Sequence, residues 1–257
     1  YYLTLKDAVA DAKDEDTIQI LTDYTDSSDV SIDKTLTFDT NGKTLTRDNS
    51  IIINEDITFT IIGAGKITSS TASMNLFKVY GNLYIGIDED NFTGTLSRTN
   101  DADDTQYIVL GYEGSNIFVN GGTFTATNRG FYTVGSIIYN KGTTSVTGPF
   151  AVQVAENGTG TFNGGSITSA NDTAFRHNST GEVVLNGTTI TAPNGFAINS
   201  NRTVDSVNET GKLTINKGTI TTGKTNQIYG DFILSGGTLR ATPPTDSTDS
   251  IGVVSFY

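Results

Sequence analysis

Gly211-Lys212-Leu213-Thr214-Ile215-Asn216-Lys217-Gly218-Thr219-Ile220 is the stretch on which the fold turns, because degenerate copies of it run through the chain. Its grammar is a glycine, two apolar positions separated by a polar one, a turn ending in Gly-Thr, and one more apolar position. Gly181-Glu182-Val183-Val184-Leu185-Asn186-Gly187-Thr188-Thr189-Ile190 and Gly230-Asp231-Phe232-Ile233-Leu234-Ser235-Gly236-Gly237-Thr238-Leu239 repeat it almost unit for unit. Looser copies are Leu36 to Leu45, Ile117 to Phe124 and Thr161 to Ile167. Taking the last apolar residue of each as marker gives Leu45, Ile67, Leu96, Phe124, Ile167, Ile190, Ile220 and Leu239. The spacing is roughly 20 to 30 residues, the period of a solenoid. One double-length gap, from Phe124 to Ile167, holds a poorly matching copy near Ser145-Val146-Thr147.

Within each copy apolar and polar residues alternate, which is strand periodicity. A third apolar segment falls between copies, as in Leu76-Phe77-Lys78-Val79, Tyr107-Ile108-Val109-Leu110, Ala151-Val152-Gln153-Val154, Phe196-Ala197-Ile198 and Gln227-Ile228. Three short strands per turn, divided by Gly, Asn and Thr, predict a right-handed parallel β-helix of about nine to ten coils stacked about 4.8 Å apart. One coil cannot offset the backbone entropy of its own ordering, so stability is a property of neighbours.

The opening reads differently. Leu5, Ala8, Val9 and Ala12 fall at helical spacing with Thr4 placed to cap, so residues 5–13 are expected as a short amphipathic helix and Thr17-Ile18-Gln19-Ile20-Leu21 as the first strand. Residues 1–21 then form an N-terminal cap over the edge of the first coil, and 22–257 the coils of a single domain. Ile251-Gly252-Val253-Val254-Ser255-Phe256-Tyr257 reads as a last strand with no cap, and the chain opens at Tyr1 without Met, so it is expected to be part of a larger multidomain protein.

The runs Tyr2 to Ala12, Asp16 to Leu21 and Ile32 to Leu45 resemble the start of pectate-lyase-like right-handed β-helices, and more narrowly the solenoid regions of surface proteins of Gram-positive gut bacteria. That resemblance covers the chain as a style of repeat, and it implies a fold shared by polysaccharide lyases, polygalacturonases and non-catalytic adhesins. For a lyase it implies clustered Asp with an Arg or Lys base, and for a polygalacturonase three close carboxylates and Gly-His-Gly. Neither string is present.

Composition narrows the function further. The 257 residues carry 16 Lys+Arg against 28 Asp+Glu, a net charge of −12, which disfavours nucleic acid and anionic membranes alike. No apolar run approaches the ~18 residues of a membrane span. The chain has no Cys, no Trp and one Met, and its abundant Thr, Asn, Ser and Gly suit an extracellular, secreted or wall-anchored location.

Candidate sites follow from the strand phase. With Leu83 and Ile85 inward, Tyr84 faces out; one repeat later Ile117 and Val119 face in and Phe118 out. With Tyr80, Tyr107 and Tyr112 nearby, these rings form a candidate glycan-binding strip. Asp88, Glu89 and Asp90 lie in one lengthened turn and Asp101, Asp103 and Asp104 in the next, so their loops are a candidate Ca²⁺ site if stacking brings them together. The alternative is solvated loops whose carboxylates repel one another. The sole histidine, His177, is expected to point outwards at a corner after Ala174-Phe175. The Asn-x-Ser/Thr triplets are read as turn chemistry, and the Ser200–Thr210 insertion as decoration or a ligand lip. An ice-binding face would need regular Thr ranks, and the outward positions Thr37, Tyr84, Phe118, Val184, Thr214 and Ile233 are too mixed for one. The function expected is thus a non-catalytic adhesin or display rod contacting host or environmental glycans. Its rivals are a polysaccharide-degrading enzyme and a ligand-free spacer.

Overall fold

The computed structural model describes residues 1–100, 105–204, 207–242 and 252–256. Its strands are three to five residues long over most of the chain, because each coil must bend three times, and they stack as three ten-stranded parallel sheets. The first sheet holds the strands that open each repeat, such as Asn82–Ile85 and Asn116–Val119; the second holds the Gly-Thr strands, such as Thr123–Ala126 and Thr219–Thr222. The third holds the apolar segments between copies, such as Phe77–Val79 and Phe175–Ser179. The poorly matching copy is strand Thr143–Val146, seated in register between Thr123–Ala126 and Ser166–Ser169. Ten strands at about 4.8 Å make a rod about 43 Å long, coiled in the right-handed sense that parallel crossovers take.

Register puts like residues on like. Leu83 pairs with Phe59 on one side and Ile117 on the other, all fully buried, so the core is a set of apolar columns parallel to the rod axis. Its middle is aromatic: Phe124 meets Phe131 edge to face at 5.0 Å and Phe162 meets Phe175 at 4.9 Å. At the corner between the first and second sheets asparagines stack in a ladder. The side-chain amide of Asn140 donates to Asn120 Oδ1 at 2.8 Å, Asn163 to Asn140 at 2.7 Å, Asn186 to Asn163 at 2.9 Å and Asn216 to Asn186 at 2.9 Å. Glycine often follows within two positions, and at Gly165 the backbone φ is 75° and an added Cβ would meet Gly142 O at 2.5 Å. Only glycine makes that turn without strain.

The N-terminal helix spans Leu5–Asp11, shorter than the 5–13 expected, with Thr4 Oγ1 accepting from Asp7 N. It buries Leu5, Ala8 and Val9 and is pinned at both ends. Leu5 N donates to Asp26 Oδ2 at 2.8 Å, and Lys34 Nζ donates to the carbonyls of Val9 and Ala10 at 3.0 Å each, where the helix dipole is negative. Asp26 is itself held by Arg47 at 3.0 Å and by Ser28 N. Beneath the helix a cavity of about 760 Å³ remains, lined by Ile18, Ile20, Tyr24 and Phe38 among others, so the cap covers the first coil in part. At the other end Val254–Phe256 pairs with Asn226–Ile228 in the third sheet. Phe256, Ile233 and Leu234 are exposed there. Within the late insertion, Thr203–Val204 and Val207–Asn208 form a two-stranded antiparallel pair.

One expectation reverses. His177 does not face out: it lies fully buried in strand Phe175–Ser179, in register with Val154 and Ser200. The strand runs on past Phe175, so alternation sends Phe175 and His177 inward and Arg176 outward. The ring's Nε2 lies 3.0 Å from Gly181 O and its Nδ1 3.0 Å from Ser200 Oγ. These partners fix a neutral tautomer with the proton on Nε2. Burial, opposed by the Gly181 hydrogen bond, pushes its pKa down from 6.5 to about 4.

Two predictions follow from this packing. Because His177 titrates lower when folded than unfolded, its contribution is full above pH 6.5 and is lost as pH falls from 6.5 towards 4. Denaturant titrations are expected to show about 2 kcal/mol less stability at pH 5 than at pH 7.5, with that slope abolished in His177→Gln. In the ladder, Asn163→Ala removes one donated and one accepted bond, and is expected to cost about 1–2 kcal/mol in thermal or chemical unfolding. Asn216→Ala, at the ladder's end, removes one and costs less.

Candidate functional site

Strand alternation presents the aromatic strip as expected in its main pair. Tyr84 stands between the buried Leu83 and Ile85 and pairs in register with Phe118. The two rings stack at 4.2 Å between centroids with planes 10° apart. Tyr80 and Tyr112, at the preceding corner of the same two coils, stack at 4.1 Å and 6°. All four are half-buried. Burial, and secondarily the hydrogen bond the Tyr112 hydroxyl donates to Tyr80, push the Tyr112 phenol up to about 12. The neighbours in register are Thr60 beside Tyr84 and Ile138 beside Phe118, so the far face of Tyr84 meets the smaller side chain.

Tyr107 does not join this strip. It is 7% exposed in the third sheet, strand Tyr107–Gly111, where its hydroxyl accepts from Arg129 Nη1 at 2.9 Å. The reading from sequence placed it by proximity along the chain, whereas a corner of the coil separates the two faces.

The first acidic loop leans along the rod. Asp88 Oδ1 accepts from Asp90 N at 3.1 Å, and the side chains of Glu89 and Asp90 reach Lys141, two coils further on, at 3.2 and 3.8 Å. The charges of Glu89 and Asp90 are thereby offset in part by a cation, although such exposed pairs contribute at most about 1 kcal/mol. Beside the loop runs a groove of about 400 Å³, floored by Gly121, Gly122, Gly142 and Gly165 and edged by Thr123 and Thr143. Among the described residues no group of three or more His, Cys, Asp or Glu is gathered to hold a metal ion. Asp101, Asp103 and Asp104 lie outside the described residues. Among those described, Asp26 is the sole buried carboxylate, and it serves the N-terminal helix.

The second sheet carries a regularity that reading one outward position per coil misses. Each of its four-residue strands shows two outward side chains, and on six consecutive coils both are Ser or Thr. One rank is Thr95, Thr123, Thr143, Ser166, Thr189 and Thr219; the other is Ser97, Thr125, Ser145, Thr168, Thr191 and Thr221. Neighbours lie about 4.8 Å apart along the rod and about 6.7 Å across it. No charged residue interrupts either rank across these coils. The mixed positions Thr37, Tyr84, Phe118, Val184, Thr214 and Ile233 all belong to the first sheet. The signal was available in the recurrent Thr-x-Thr of the Gly-Thr strands, but sequence alone did not separate one sheet's outer face from another's.

Comparison of the chain with family models, with curated proteins and with solved structures found no match, so the function rests on the geometry alone.

Proposed function

We propose that this β-solenoid is a non-catalytic extracellular rod that binds glycan chains along its outer surface. The observation that carries the reading is the pair of aromatic stacks on two adjacent coils, Tyr84 on Phe118 and Tyr80 on Tyr112, half-exposed outside a core that does not need them. Stacked tyrosines and phenylalanines offer rigid apolar area with little entropy to lose, which suits the C–H faces of sugar rings. The adjacent glycine-floored groove supplies hydroxyls and the Glu89–Lys141 pair for polar contact. The scatter of the described carboxylates supports binding over cleavage, since hydrolysis or elimination needs acid and base groups in one cleft. The cysteine-free, hydroxyl-rich surface supports an extracellular setting.

Glycan-array and calorimetric titration, with product analysis of each hit, tests this. Binding without chain shortening is expected. Tyr84→Ala should weaken it about tenfold, corresponding to about 1.4 kcal/mol. Phe118→Ala should weaken it less, because Ile138 already covers that ring's far face. Shortened or unsaturated products would replace the reading with an enzyme, and silence on every glycan would leave a spacer.

The hydroxyl ranks favour a second reading, contact with ice. A flat face whose hydroxyls and methyls repeat in two dimensions can order water into a matching lattice, and ice is the ligand whose surface repeats in the same way. Ice-recrystallisation inhibition that disappears in Thr168→Lys, at the centre of the face, is the expected result on this reading. Unhindered crystal growth in the wild-type protein removes it.

A further inference from the structure

The third sheet's outer face carries two arginines that form no ion pair among the described residues. Arg129, in register with Tyr107, places its guanidinium carbon 5.4 Å from the Tyr107 ring centroid and 5.4 Å from that of Phe150. Arg176 places its own 4.9 Å from the same Phe150 ring. Phe150 lies on the coil between them and is held at a φ of 60°, a left-handed conformation that a bulky residue adopts only under constraint. Tyr132, half-exposed on the coil of Arg129, leans against Tyr107 at 5.1 Å between centroids.

The electrostatics are unusual for a chain of net charge −12. Neither Arg129 nor Arg176 forms an ion pair among the described residues, and Arg129 Nε is buried without a hydrogen-bond partner. Among the described residues, Asp172 and Glu156 are carboxylates whose charge reaches this cluster. Asp172 Oδ1 accepts from Thr173 N at 2.6 Å, and Glu156, beside Tyr132, is exposed. Burial, and secondarily the charge of Arg129, lowers the pKa of Arg176. Two guanidiniums stacked on one ring, with Arg129 Nε and the Arg176 fork unpaired among the described residues, form a preorganised receptor for an oxyanion.

We propose that this face is a second binding site, taking an oxyanion-bearing saccharide whose sulfate or carboxylate group lies between Arg129 and Arg176 and whose ring rests on Tyr132. The guanidiniums supply paired donors in a plane; the aromatic rings hold them in place and give the sugar an apolar floor. The site lies on a different sheet from Tyr84 and Phe118 and stands independently of them.

A matched series tests it: lactose, sialyllactose, sulfolactose and inorganic sulfate, each titrated calorimetrically into the full chain. The charged sugars are expected to bind at least tenfold more tightly than lactose and than inorganic sulfate. A preference for sialyllactose assigns a carboxylate ligand, and a preference for sulfolactose a sulfate ester. Arg129→Gln and Arg176→Gln should each lower that affinity about tenfold, while Tyr84→Ala leaves it unchanged. Arg176→Lys, which keeps charge and loses the fork, guards against a folding defect and should fall between. Equal affinity for charged and neutral sugars overturns the proposal, as does binding of inorganic sulfate as tight as that of sulfolactose. Charged-sugar binding that survives in well-folded Gln variants overturns it equally.

Discussion

Every strand of the three parallel sheets between the terminal coils is hydrogen-bonded to a coil above and a coil below, and the rest of the structure answers to that constraint. A backbone group in one coil finds its partner in another at a sequence distance of one repeat, as when Asn116 N meets Gly81 O or Asn140 N meets Val119 O. Coils must therefore keep a common outline, and extra residues can leave only at corners. That is where they are found: the loop bearing Asp88 to Asp90 exits between the first and second sheets, and the insertion after Ser200 between the third and first. The short closed coil also explains why inward positions are so uniformly apolar and why a polar group inside them, such as His177, arrives with both partners supplied.

Register carries the same logic outwards. Once coils superpose, any residue that recurs in the repeat becomes a column, and three strands per coil make three faces of different chemistry. The Asn ladder is a column whose members satisfy one another, so its amides are spent on the fold and offer little to a ligand. The Ser and Thr ranks of the second sheet are columns that remain open to water over most of their length. Ser97 is the exception, buried and donating to Thr68 Oγ1 at 2.7 Å. The third sheet breaks its column, passing from Leu110 through Tyr132 and Gln153 to Arg176. A break in repetition is where selection for something other than stacking shows.

The architecture was legible because alternation and repeat are both local. Leu83, Tyr84 and Ile85 declare their phase within three residues, and the recurrence of Gly-Thr declares the coil. Phase also predicted that Tyr84 and Phe118 would share a face, and they stack. What stayed hidden needed strand ends and sheet identity. His177 turns inward against the sequence expectation because Phe175–Ser179 runs longer than its apolar residues, with Asn and Ser completing it. Tyr107, close to Tyr112 in sequence, falls in another sheet because a corner rotates direction without any marker as strong as proline. The threonine ranks lay in plain sequence, yet they become a surface only when each strand is given to its sheet.

The arginines of the third sheet show how such a surface escapes both kinds of reading. In sequence Arg129, Phe150 and Arg176 lie about one repeat apart among unrelated neighbours, with no motif to join them. Stacking brings them to three successive coils, and the cation–π contacts offset part of the cost of placing two like charges together. A carboxylate placed between them would be the simplest stabilising choice in a chain with 28 Asp+Glu. Its absence among the described residues leaves Arg176 without an ion pair and Arg129 bonded to Tyr107 alone, with a strained Phe150 between them. Stability alone gives no reason to keep that arrangement, whereas an anionic ligand would find both charges already in place and little of the site left to organise.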